Sequence, residues 1–184
     1  MRVFLAITIN PTDEIKKIIK NISKLPIKQS IVKENALHLT IKFFGEKSED
    51  EISAINTTCS KLLDGIKPFK LKIKGVGVFG TYEFPRVIWL GVVPNVELNE
   101  IINRSNVLFG KEDHESTPHL TISRPKQPIK RKELIEKIIE SYKETIFWEG
   151  EIRYCTLKKS ILNPDGAEYI DLFQYVLGNP IKLN

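Results

Sequence analysis

Pro118-His119-Leu120-Thr121-Ile122-Ser123-Arg124 repeats a phrase the chain has already used. Leu37-His38-Leu39-Thr40-Ile41-Lys42 carries the same His-Leu-Thr-Ile core 81 positions earlier. The chain has three histidines, and two of them sit in these copies. Both copies alternate polar and apolar residues, the period of a half-buried strand. Alternation puts His38, Thr40 and Lys42 on one face and Leu39, Ile41 and Phe43 on the other. In the second copy His119 and Thr121 share a face, and strict alternation turns Arg124 away from them.

The surroundings of the two copies also recur. Residues 2–9 read as a strand, and a helix follows it, capped by Thr12 or Asp13 and ended by Pro26. A short strand is expected at 29–33 before the first motif strand at 37–44. Ser48 with Glu51 forms a capping-box signature for the next helix, and a strand is predicted over 69–79. The second half runs strand 86–93, helix from about 97, motif strand 119–123, helix 131–145, then strands at about 150–159 and 168–176. Asn163-Pro164-Asp165-Gly166 supplies the turn between those last two. Corresponding elements are displaced by 81 to 84 positions. One unit of strand, helix, motif strand, helix, strand therefore occurs twice, roughly over 1–83 and 84–176. Two units cannot form a solenoid, but they can pack about a pseudo-two-fold axis, where a residue meets its own duplicate. The expectation is one two-lobed domain over 1–184.

Two faces of that kind, meeting across a cleft, hold two imidazoles and two hydroxyls, with no carboxylate in either motif. That inventory suits a phosphodiester. Histidine titrates near pH ~6.5, so one imidazole can accept a proton from water while the other donates to a leaving oxygen. Threonine hydroxyls can hold the non-bridging oxygens. The set is too small in ligands for a metal site. Gly75-Val76-Gly77-Val78-Phe79-Gly80 matches a dinucleotide fingerprint, but a loop follows it where a helix is required. No cofactor is expected.

The ordered set of motifs resembles the two-histidine phosphoesterases, and within them the RNA 2′,3′-cyclic phosphodiesterases, also called 2′-5′ RNA ligases. The resemblance rests on Arg2-Val3-Phe4-Leu5-Ala6-Ile7, on His38 to Gly45, on Phe84 to Val92 and on Pro118 to Arg124. It continues through Leu157-Lys158-Lys159-Ser160 and Pro164-Asp165-Gly166-Ala167-Glu168-Tyr169. It implies an α+β fold of two pseudo-symmetric lobes, each an antiparallel sheet with helices on its outer face and the active-site cleft between them. It also implies His38 as general acid, His119 as general base, and Thr40, Thr121 and Arg124 as phosphate-binding residues. The implied partner is RNA ending in a 2′,3′-cyclic phosphate or 2′-phosphate, tRNA fragments being one source. Hydrolysis would yield a 2′-phosphate, and a 5′-hydroxyl in place of water would give 2′-5′ ligation. The alternative is a non-catalytic module that holds RNA ends in the same cleft.

Composition agrees with this reading without carrying it. The 184 residues are 41% hydrophobic and 28% charged, as in a globular domain that buries a core. A net charge of +5 is compatible with an anionic partner. The opening apolar run is stopped by Asn10-Pro11, too short for a signal peptide, so a cytoplasmic monomer is expected. Cys59 and Cys155 lack the spacing of a zinc or disulfide framework. His114 falls in a charged loop and is expected to be solvated. Phe44, Tyr82, Phe84 and Trp89 are candidates to stack a base, with core packing expected for Phe44 and Trp89.

Overall fold

The computed structural model describes residues 1–111, 117–163 and 166–178. Nine strands and four α-helices follow in the order β1 (Arg2–Thr8), α1 (Asp13–Ser23), β2 (Gln29–Ile31), β3 (His38–Glu46), α2 (Glu49–Leu63), β4 (Phe69–Gly80), β5 (Pro85–Val92), α3 (Val96–Phe109), β6 (His119–Pro125), α4 (Glu133–Tyr142), β7 (Ile146–Ile152), β8 (Tyr154–Asn163) and β9 (Gly166–Val176). His114, Pro164 and Asp165 lie outside the described residues. The predicted caps form: Thr12 accepts from the Ile15 amide, and Ser48 and Glu51 make the reciprocal capping box.

The strands form one antiparallel sheet in the order β7-β4-β5-β6-β3-β1-β8-β9, with β2 added to β6. It has two halves. One is β3-β1-β8-β9, covered by α2 and α3; the other is β6-β5-β4-β7, covered by α1 and α4. Between β3 and β6 the ladder has a single pair, Leu39 with Leu120. Both leucines are buried, at 1% and 0% exposure, so the two motifs join back to back through their apolar residues. The fold is α+β, as expected.

The halves of the sheet are not the halves of the sequence. β4 leaves the first repeat to pair with β5 of the second, and β8 leaves the second to pair with β1 of the first. Helices α1 and α3 cross over in the same way. The expected strand at about 150–159 is in fact two strands: β7 pairs with β4, and after Arg153 the chain stays extended but changes partners to β1 and β9. Each half of the sheet thus combines strands from the first and the second half of the chain.

A β-bulge recurs in both motif strands. Opposite β1 one extra residue on β3 is Ile41, since Leu5 pairs with Lys42 and Ala6 with Thr40; a second, Phe44, follows it. Opposite β5 the extra residue on β6 is Ile122, since Ile88 pairs with Ser123 and Trp89 with Thr121. A bulge places two residues against one and shifts the phase of the strand. Ile41 and Lys42 are therefore both buried, as are Ile122 and Ser123. This corrects the expected alternation. Lys42 turns inward and donates to the Gly110 carbonyl, 2.6 Å away, while Phe43 returns to the face of His38 and Thr40. Arg124, the counterpart of Phe43, is returned in the same way.

Candidate active site

Each motif histidine is held by the same local device. His38 Nδ1 lies 2.8 Å from the Ala36 carbonyl, and His119 Nδ1 lies 2.7 Å from the Thr117 carbonyl. A carbonyl only accepts, so each Nδ1 carries the hydrogen and donates it. That choice of tautomer leaves Nε2 as the lone-pair atom of a neutral ring and the N–H donor of a charged one. Among the described residues neither Nε2 has a hydrogen-bond partner. Aromatic rings then fix each imidazole plane. His38 sits between Phe4 and Tyr169, with centroids at 4.9 and 4.7 Å, and His119 lies edge-on to Phe79 at 4.7 Å.

The register around the Leu39–Leu120 pair sets the arrangement of the four motif side chains. In an antiparallel ladder His38 is across from Thr121, and Thr40 from His119. The histidines are then diagonal neighbours on one face, at a typical separation of roughly 7–8 Å. A cavity of about 430 Å³ opens beside them, lined by His38, Thr40, Phe43, Arg124 and Tyr169, with Ser30 of β2 also in its wall. The cavity thus gathers three of the five expected residues, and His119 and Thr121 are not in its lining. Arg124, which alternation had turned away, enters from β6 because of the bulge at Ile122.

Burial pushes the His38 imidazole down to about 4; the positive charges of Lys158, Arg124 and His119 act the same way, and the Ala36 carbonyl opposes them. His119 is lowered by burial and by Arg124, against the Thr117 carbonyl. At neutral pH the cleft therefore holds two neutral imidazoles beside a guanidinium, with no carboxylate in the cavity's lining. Among the described residues no group of three or more His, Cys, Asp or Glu is placed to hold a metal.

Phe43 and Tyr169 also line the cavity, with no signal in the residue alternation. Phe43 was hidden by the bulge, and Tyr169 stands in a strand whose partner gave no local signal. Of the aromatic candidates, Phe44 packs on Phe109 at 4.8 Å against the core, as expected, whereas Trp89 is only half-buried: it packs on Phe79 at 5.3 Å and lies 6.3 Å from the His119 ring, beside the second motif and not in the core. The glycine run serves that packing: a Cβ on Gly77 would lie 2.2 Å from the Trp89 ring, so only glycine lets the indole cover the strand.

Residues 11–152 match the family model of the 2′-5′ RNA ligase superfamily. An RNA 2′,3′-cyclic phosphodiesterase of Methanocaldococcus jannaschii is 39% identical over 175 residues, covering 92% of this chain and 96% of that one. One of Archaeoglobus fulgidus is 34% identical over 178 residues, covering 94% and 98%. Among solved structures, a Thermus thermophilus protein superposes with a TM-score of 0.71 at 25% identity, over 96% of this chain and 98% of that one. E. coli LigT complexed with 3′-AMP shares the fold, with a TM-score of 0.70 at 22% identity over 97% and 98%. By sequence along most of its length, and by the fold that carries its paired motifs, the chain belongs to the 2′-5′ RNA ligase superfamily.

Proposed function

We propose that this chain hydrolyses the 2′,3′-cyclic phosphate at an RNA end to a 2′-phosphate, using its two histidines and no metal. The observation that carries the reading is the duplicated Nδ1 anchor, which frees two Nε2 atoms on one face beside Arg124. In the reaction His119 Nε2 takes a proton from water, and the water oxygen attacks phosphorus. The bond from phosphorus to O3′ breaks, and His38 Nε2 donates its proton to O3′. The products are a 2′-phosphate and a 3′-hydroxyl; His119 has gained the proton that His38 has lost, and solvent exchange restores both. Each transfer contributes roughly 10²- to 10⁴-fold. Thr40, Thr121 and Arg124 hold the non-bridging oxygens, where charge builds. A 5′-hydroxyl replacing water would give a 2′-5′ bond by the same steps.

The acid must be charged, and burial among cationic neighbours disfavours that. A bound phosphodiester supplies a negative charge beside Arg124 and raises both imidazoles, so the substrate itself recruits the proton. The stronger lowering at His38 favours the opposite assignment of roles, with His38 as base. A substrate with sulfur at the 3′ bridging position separates the two, because a thiolate leaves without an acid. Its cleavage should be restored in His38→Ala and stay lost in His119→Ala; the reverse pattern exchanges the roles. The overall reading is tested with a short RNA ending in 2′,3′-cyclic phosphate. Product should carry a 2′-phosphate, EDTA should leave the rate unchanged, and full activity in both single alanine variants would sink the reading.

A further inference from the structure

Strand β2 continues the site past its edge. Ser30 pairs with Arg124, and both line the cavity. The ladder does not stop at the strand ends: the Lys126 amide donates to the Lys28 carbonyl at 2.8 Å, one step beyond the pair of Gln29 with Pro125. Lys28 and Lys126 are therefore directly across from one another. By the two-residue period they lie on the face of Ser30 and Arg124, advanced by roughly 6.6 Å along the strands.

Two like charges directly across a ladder repel and destabilise it. Both lysines are exposed, and among the described residues neither makes an ion pair. The segment that presents them is nonetheless firmly held. Ser123 Oγ donates to Gln29 Oε1 at 2.6 Å, Gln29 Nε2 donates to the Ile22 carbonyl of α1 at 2.8 Å, and the Val32 amide donates to the Ile122 carbonyl at 2.9 Å. An uncompensated pair of cations on a firmly held backbone, in register with a phosphate-site arginine, fits a second anion following the first at the spacing of a polymer.

We propose that Lys28 and Lys126 bind the backbone phosphate that precedes the cyclic end, so that the substrate is the end of a single-stranded RNA chain and not a free cyclic mononucleotide. This rests on the hydrolytic reading above and adds the direction in which the chain leaves the cleft: over β2 and β6, away from Arg124.

The test compares 2′,3′-cyclic AMP with a tetra-adenylate ending in 2′,3′-cyclic phosphate, using the full chain and the double variant Lys28→Gln/Lys126→Gln. Binding of a fluorescein-labelled tetra-adenylate 2′-phosphate is read by anisotropy across a salt series. The wild type should prefer the tetranucleotide by roughly tenfold or more in kcat/KM. The variant should lose that preference while hydrolysing the mononucleotide within about twofold of the wild type. Its log–log salt slope should be shallower by about 0.7, the change expected for losing one phosphate contact to a single strand. An unchanged preference and slope, or an equal loss on both substrates, would overturn the proposal. If the wild type hydrolyses neither substrate, the hydrolytic reading is what has failed. The anisotropy arm then decides alone, and equal binding by variant and wild type overturns the track.

Discussion

Acid should unfold this protein through its candidate active site. An ordinary histidine titrates at 6.5, and His38 in the folded chain is pushed to about 4, first by burial and then by its cationic neighbours. Between those two values the unfolded chain binds a proton that the folded chain does not, so stability falls as the pH drops through this window. The drop from 6.5 to about 4 corresponds to about 3 kcal/mol for His38 alone. His119 is lowered as well and adds to the loss in the same direction. The assay is urea unfolding at pH 7, 6, 5 and 4 for wild type and His38→Gln. The glutamine is neutral throughout, so its curve should flatten relative to wild type, the gap between the two growing towards about 3 kcal/mol at the lowest pH. Inorganic phosphate should shrink the wild-type loss, because an anion beside Arg124 makes the charged imidazole acceptable. Parallel curves for the two proteins would refute the claim that His38 is held neutral by its surroundings.

Other perturbations probe different levels. Gly77→Ala forces a Cβ into the Trp89 ring and should cost about 1–3 kcal/mol, with a shift in tryptophan emission as the indole is displaced. Leu120→Ala empties a fully buried site at the one pair joining the halves of the sheet; chemical denaturation should show a loss of about 2–5 kcal/mol. Arg124→Lys keeps the charge but not the planar fork, and should lower kcat/KM for a cyclic-phosphate RNA on the order of 10²-fold with thermal stability unchanged.

The legible part of this molecule was local chemistry. Thr12, Ser48 and Glu51 announce their caps because a cap is formed by residues within one turn of each other. The parity of His38 with Thr40, and of His119 with Thr121, follows from strand geometry alone. What was hidden depends on which strand lies next door. β4 and β8 exchange between repeats, and nothing in Phe69–Gly80 or Tyr154–Asn163 names a partner. The partner change at Arg153 has no glycine or proline at that residue to mark it; what differs on either side is the neighbouring strand.

The bulge shows how such a hidden feature becomes functional. Strict alternation sends Phe43 and Arg124 to the core side and Lys42 and Ser123 to the cleft. One extra residue, Ile41 in the first copy and Ile122 in the second, reverses all four assignments. The reversal is useful because the bulge lies after the threonine, so His and Thr keep the phase set by the Leu39–Leu120 contact while the residue five positions beyond each histidine is brought back to join them. The duplication then diverges at that position. One copy presents an aromatic ring, the other a guanidinium, and both border the cavity beside His38. A duplicated pair of histidines is thus flanked by unlike side chains, an asymmetry that the proposed reaction, with its distinct entering and leaving oxygens, would use. Symmetry in the motifs supplies two chemically equivalent histidines; the side chains carried by the two bulges make their surroundings different.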